Sequence, residues 1–259
     1  MEKSAIYTIP AVANKVLQEV SREQLMTIKS EKELGDHGII TSLVIRPDKN
    51  QRQVVPSVQL TREYIIGDKN KDLEKDREFG AVTMMRADVS RALGGYHIPG
   101  DNIHVEGLRF GKKYLDTGDL VVIKSPQEEI KSILLKTLIP HYACWKLQAR
   151  CGSRAHDFLN AEGEYEQGVA RDGNPVNGLE DRLRGIRLVV LKGGEITPGD
   201  HVFIARAAEK DALIAQFHLE QVSAAWVEKS KALAEKLEKE EAAKMAYRKQ
   251  ARLKNLAQK

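Results

Sequence analysis

Apolar positions along the chain follow three successive patterns. After Pro10, a residue suited to the first turn of a helix, Val12, Val16, Leu17 and Val20 recur at spacings of three and four. Residues 1–36 are therefore expected to form a helical extension that packs on the rest. From His37 to about Ala208 the pattern shifts to short β-branched and aliphatic runs punctuated by glycine, which predicts strands over Ile39–Ile45, Val54–Leu60, Ala81–Met85, Asn102–Val105, Leu120–Ile123, Ile130–Leu138, Arg187–Leu191 and His201–Ile204. Many short strands with turns between them suggest a barrel or a sandwich. From about Ala212 the chain is rich in Ala, Leu, Glu and Lys and is expected to stay helical to its end.

Local punctuation refines these elements. Asp88 is placed as the N-cap of a short helix through Val89-Ser90-Arg91-Ala92-Leu93, with Gly94-Gly95 as its closing turn. Thr117-Gly118-Asp119 and Pro198-Gly199-Asp200 each lead into a strand, and Pro-Gly fits the centre of a type II turn, so Asp119 and Asp200 read as turn residues bonding nearby amides. Residues 153–185 have the Gly, Asp, Asn and Glu content of a long surface loop. In the terminal segment Glu235 with Lys239 and Glu240 with Lys244 form favourable i,i+4 pairs. Leu219, Val222, Trp226, Leu233 and Leu237 make an apolar stripe there, yet Lys229, Ser230, Glu240 and Glu241 break any heptad. The expected organisation is a helical extension over 1–36, a barrel domain over 37–208 and a charged helix over 209–259.

Composition narrows the class. The 42% hydrophobic content is enough for a core, and two cysteines in 259 residues make no disulfide framework. No apolar run approaches the roughly 18 residues that cross a bilayer, and Met1-Glu2-Lys3-Ser4 leads into no secretory h-region. A soluble, cytoplasmic protein with no membrane partner is expected. Net charge is +4, but residues 228–259 carry ten Lys and Arg against five Glu, so the body is close to neutral. That distribution does not describe a uniformly basic nucleic-acid-binding domain. From Lys244 onward there are six basic residues and no acidic one, which suits either a solvated helix C-terminus or contact with RNA or an acidic partner.

Candidate chemistry gathers around Pro140-His141-Tyr142-Ala143-Cys144-Trp145-Lys146-Leu147, where Cys144 follows an apolar run and precedes Lys146, Arg150 and Arg154. Thiolate is the nucleophilic and metal-binding form of cysteine, and nearby cations favour it. An unpaired cysteine also serves often as a small apolar filler, so packing and chemistry both stand for Cys144. His141, three residues earlier, could tune the thiol. Cys151 lies seven residues on. On a helix that is about 10.5 Å, too far for a disulfide, and the spacing does not match a zinc site. Cys151 therefore reads as structural, with a resolving thiol as the alternative. His97, His104 and His156 are scattered, and His104, alternating with Ile103 and Val105, should face away from the barrel core. Walker and Rossmann signatures are missing, and no flavin, haem or iron–sulfur motif is visible.

Taken in order, four segments resemble the MOSC domain family, named for the C-terminal domain of molybdenum cofactor sulfurase. They are Gly38–Ile45 running on to Ile65-Ile66-Gly67-Asp68; Pro99-Gly100-Asp101-Asn102-Ile103 through Leu108; Leu115-Asp116-Thr117-Gly118-Asp119-Leu120; and Ala143-Cys144-Trp145-Lys146-Leu147 with the closing Gly193–Asp200 turn. Together they span about His37 to Ala208. The resemblance implies a mainly β (α+β) fold, a MOSC-type β-barrel with flanking helices and a long C-terminal helix. It also implies the molybdenum cofactor (molybdopterin), with Cys144 as catalytic residue and metal ligand or as a sulfur carrier. Asn102 would lie near the cofactor, and Lys146 and Arg150 would bond its phosphate. Three departures stand out. Ala143 replaces the usual proline, Lys69-Asn70 follows Gly67-Asp68 where many members have a histidine nearby, and the terminal helices lie outside the common domain.

Three functions follow as expectations. The first is an enzyme, an oxidoreductase that reduces N-hydroxylated or N-oxygenated small molecules, with electrons from a separate donor protein. The second is a persulfide carrier for metal–sulfur or cofactor assembly, loaded by a cysteine desulfurase. The third is a non-catalytic binding protein acting through its basic helix.

Overall fold

A computed structural model gives the fold. The structure describes residues 6–8, 19–29, 33–48, 51–62, 64–69, 82–110, 114–115, 118–137 and 185–219, with isolated positions at 147, 150–152, 155, 159, 183, 232, 236 and 239. Eleven strands and three helices appear among them: β1 Ile6–Thr8, α1 Arg22–Leu25, β2 His37–Ile45, β3 Gln51–Val55, β4 Val58–Leu60, β5 Val82–Arg86, α2 Ala87–Ala92, β6 Ile103–Glu106, β7 Leu120–Lys124, β8 Ile130–Lys136, β9 Ile186–Lys192, β10 Gly194–Ile196, β11 His201–Ala205 and α3 Ala207–Phe217. The chain is mainly β.

The main sheet runs β1-β3-β2-β11-β7-β8-β9-β5-β6, and β6 pairs back onto β2. Seven of these strands, β2 to β6 through β11, thus close into a mixed barrel in which only the β5–β6 neighbours are parallel. Closure leaves these seven strands without a free edge. Alternation then sorts side chains by face. Ile40, Leu43, Ile103, Val105, Val121, Ile123, Leu134, Leu188, Val190, Val202 and Ile204 fill the interior. On one outer face Leu120, Val122, Ile133 and Leu135 meet Leu213 of α3 and Leu219. On another, Val20, Leu25 and Ile28 pack with Val89, Leu93, Leu147, Cys151, Ala155 and Leu159.

The barrel strands fall on the predicted apolar runs to within a few residues at their ends, and the larger differences have local causes. The run Val54–Leu60 is divided at Pro56-Ser57, because proline cannot donate to a ladder, and β4 pairs separately with β10. The expected N-terminal helix contains instead, at Ile6–Thr8, an edge strand on β3; Val12, Val16 and Leu17 lie outside the described residues. Asp88 is not the N-cap of α2. Arg86 holds that place, and Asp88 sits in the first turn with its carboxylate turned to the Arg86 guanidinium. Gly94 and Gly95 close α2 by donating to Arg91 and Ser90, as expected.

The terminal helix also differs. It starts at Ala207 and stops at Phe217, where His218 takes a left-handed conformation, so the helix is not continuous from Ala212. Ala232, Lys236 and Lys239 are helical and exposed. Part of the expected loop over 153–185 is helical too, at the buried Ala155 and Leu159. Gly199 adopts φ +95°, Asp200 N donates to Thr197 O, and the Asp200 carboxylate accepts from Thr197 N and from Lys131, which makes it the turn residue the sequence suggests. No helix among the described residues is long and apolar enough to cross a membrane.

Candidate functional site

Asn102 precedes β6 and is enclosed by β2 and β5. Its backbone N donates to Thr83 O at 3.0 Å, and its carbonyl accepts from Val44 N at 2.8 Å. The side chain is spent in the same way. Nδ2 donates to Val44 O at 3.2 Å and to the Asp68 carboxylate at 2.6 Å, while Oδ1 accepts from Arg46 Nη2, Thr83 N and Thr83 Oγ1. Both Nδ2 partners can only accept, which fixes the orientation of the amide. Asn102 therefore acts as a keystone. It couples Arg46 and Asp68, whose own bond is bidentate at Nε, to three barrel strands.

Two further arginines stand beside this network. Arg52, the second residue of β3, and Arg150, from the helical positions after Leu147, are each only 9% exposed. Arg150 Nη1 donates to Ile98 O at 3.0 Å and Arg52 Nη1 to Gln51 O at 2.7 Å, but Arg52 Nε is buried without a hydrogen-bond partner among the described residues. Gly100, at φ +73°, lies directly against it. A Cβ there would come within 2.5 Å of Arg52 Nε, so glycine is what lets the guanidinium in.

Electrostatics mark the cluster as cationic. Burial, then the charges of Arg150 and Arg46, pull the Arg52 guanidinium down to about 9 against the support of Asp68 and Asp101. It stays protonated at neutral pH, because that value still lies above 7. His97 is held below its ordinary value by burial and by Arg150. Its ring stacks on Tyr7 of β1 at 4.0 Å and 6°, and Tyr7 is the cross-strand neighbour of Arg52. Asp68 and Asp101 offset part of the repulsion among Arg46, Arg52 and Arg150, and three guanidiniums against two carboxylates leave a net positive charge that favours an added anion.

Of the residues singled out in the sequence, the structure thus brings Asn102 and Arg150 into one region. Cys144, Lys146, His141 and His156 lie outside the described residues. Cys151 is fully buried, with its thiol donating to Leu147 O at 3.1 Å, which suits packing. His104 faces away from the barrel interior as expected, but α2 covers it; Nε2 meets Asp101 O at 3.0 Å and Nδ1 meets Ser90 Oγ at 2.7 Å. Sequence reasoning missed Arg46 and Arg52. The available signal for Arg52 was a lone cation between two glutamines in a run that leads into β-branched residues, and such a position reads equally well as a solvated edge.

No protein-family model matches the chain, and no curated protein matches its sequence. Solved structures do align with it. The YuaD protein from Bacillus subtilis shares 14% identity over 65% of this chain and 95% of its own, with a TM-score of 0.42. YiiM from Escherichia coli shares 14% over 76% and 92%, at 0.39. YiiM from Geobacillus stearothermophilus shares 15% over 76% and 97%, at 0.38.

Proposed function

We propose that the chain is a MOSC-type protein that binds the molybdenum cofactor and reduces N-hydroxylated or N-oxygenated small molecules. The observation that supports this most is Arg52: a buried guanidinium beside two others and two carboxylates, with an Nε that no described residue satisfies. A phosphomonoester dianion suits that donor set, since guanidinium forks bond phosphate oxygens in pairs. Arg52 and Arg150 would hold the phosphate, with Lys146 as a third cation. Asn102 has no hydrogen-bonding capacity left for a ligand. Its part is to keep Arg46 and Asp68 in place at the edge of the cluster.

Cys144 would supply a thiolate to the metal. It precedes Leu147 by three residues in the sequence, and Leu147 packs in the same cluster as Ile98, whose carbonyl receives Arg150. When bound, the cofactor supplies two-electron redox chemistry at the metal. The chain would contribute the thiolate, the cations that fix the anionic end and the Asn102 network that holds the Arg46–Asp68 pair beside them. A sulfur carrier would need the thiol but would have no use for a buried arginine cluster, which is why the reductase reading is preferred.

The test is metal and pterin content after expression in a host that makes the cofactor. Wild type should carry both, Cys144→Ser should lose the molybdenum, and Arg52→Gln should lower pterin occupancy. A Cys144→Ser protein loaded like wild type would remove the ligand assignment. An empty wild type that gains a sulfur on Cys144 when incubated with a cysteine desulfurase would favour the carrier.

A further inference from the structure

The turn that follows α2 touches the arginine cluster at alternate places. His97 stacks on Tyr7, Ile98 O accepts from Arg150 Nη1, and Gly100 leaves room for Arg52. Cross-strand partners share one face of their ribbon, so Tyr7 stands beside Arg52 and the imidazole lies one ring further along. His97 is half-buried, and its ring nitrogens hydrogen-bond no described residue. A donor or acceptor at the border of the cluster is thus left for something else.

The surroundings pull this imidazole in two directions. Arg150 is the charge that acts on it, because the carboxylates of Asp68 and Asp101 are set against Arg52. The adjoining Tyr96 turns to Arg91 and to the His104 ring. With the site empty, burial and Arg150 hold His97 below its ordinary 6.5, so it is mostly neutral at pH 7. Tyr7 favours the other state. Its ring lies 4.0 Å away and 6° from parallel, and an aromatic face attracts a cation. A dianion among the guanidiniums cancels the repulsion from Arg150 and leaves that attraction in place.

We propose that His97 is a further ligand of the anion site: an occupying dianion is held by Arg52, Arg150 and the imidazolium form of His97, so that binding takes up a proton from solvent. This rests on the reading of the arginine cluster as a phosphate site. The sign follows from linkage. Occupancy moves His97 back up toward 6.5 while burial persists, so the gain in affinity is complete below the empty-site value and gone above the occupied one.

Sulfate is the probe, because it stays a dianion where a phosphomonoester itself titrates near pH ~6. Calorimetry of the full chain at about pH 6, in buffers of low and high ionisation enthalpy, should show wild type taking up a few tenths of a proton per sulfate. Affinity should be level above neutrality and rise about three- to tenfold on going down to pH ~5, as a shift of up to one unit in one group allows. His97→Gln should bind at every pH as wild type does at neutrality, with no uptake. His97→Lys, a fixed cation, should bind at neutrality about as tightly as wild type does in acid. The histidine ring resonance that is lost in His97→Gln should titrate higher with sulfate than without. Melting temperatures near wild type show that both variants are folded. Uptake that both substitutions leave unaltered, or a His97 titration that sulfate does not move, overturns the proposal while the anion site stands. Absence of sulfate binding by wild type, or binding that Arg52→Gln leaves intact, removes the anion site and the role of His97 with it.

Discussion

Replacing Asn102 by alanine removes the one side chain that ties β2, β5 and the Arg46–Asp68 pair together. Five hydrogen bonds go, and two buried backbone groups, Thr83 N–H and Val44 C=O, lose a partner. An unsatisfied buried group costs about 1–3 kcal/mol, and a bond to a charged group is worth about 1.5–3 kcal/mol. Water entering the space recovers part of this, and Thr83 Oγ1 still accepts from residue 102 N. The expected loss is about 3–4 kcal/mol, which for a chain of this size lowers the melting temperature by about 10 °C. Urea unfolding at neutral pH measures it, with the m-value unchanged if the effect is on the native state.

Asn102→Asp is the sharper control. It keeps the acceptors facing Arg46 and Thr83 but sets a second carboxylate where Nδ2 now meets Asp68 at 2.6 Å. Burial and that like charge raise the new carboxyl's folded pKa above its unfolded value. Its penalty is then present at neutral pH and fades as the pH falls below the folded value. Measured against wild type at each pH, the deficit should shrink by about 1–2 kcal/mol between neutrality and pH ~5. A loss under about 1 kcal/mol for Asn102→Ala, well below the usual cost of orphaned buried groups, or a pH-independent deficit for Asn102→Asp, would refute the keystone role.

Three further outcomes can be checked. Sulfate, a dianion across the range, should bind with constant affinity near neutrality and more weakly as the pH rises past about 9, where Arg52 gives up its proton; calorimetry should show Arg52→Gln losing both the affinity and the pH dependence. Gly100→Ala forces a left-handed residue against Arg52 Nε, so it should cost about 1–3 kcal/mol in thermal unfolding and abolish sulfate binding. Asp88→Asn breaks a buried bidentate pair with Arg86 and should cost about 3–5 kcal/mol in urea. In wild type burial raises the Asp88 carboxyl, but the Arg86 hydrogen bond and charge outweigh this and hold it below its ordinary 3.8. Its contribution is thus whole above that value and lost as the pH falls through the lower folded one.

The barrel strands were legible because each announces itself through near neighbours. Unbroken runs of Val, Leu and Ile such as Leu120–Ile123 or Leu188–Leu191, set between turn residues, need no knowledge of distant chain. The same holds for Asp200, whose carboxylate bonds an amide three residues away. Asn102 was legible as important, through its place in a recognised segment, but not in its role, since that depends on Arg46 and Asp68 arriving from elsewhere.

By itself, then, the sequence determined that strands of a mainly β fold occupy the middle of the chain, where most of them lie to within a few residues, and that a helical turn follows β5. Tertiary structure alone decided that β6 returns to β2 to close the barrel and that Ile6–Thr8 pairs with β3 although it lies in a stretch expected to be helical. It also decided that Arg52, Gly100 and Arg150, from three distant parts of the chain, meet. The physical reason is range. Side-chain periodicity reports which face a residue occupies, a property of the next few peptide units. The repulsion among buried guanidiniums and the room left by an absent Cβ exist only once remote segments have been brought together.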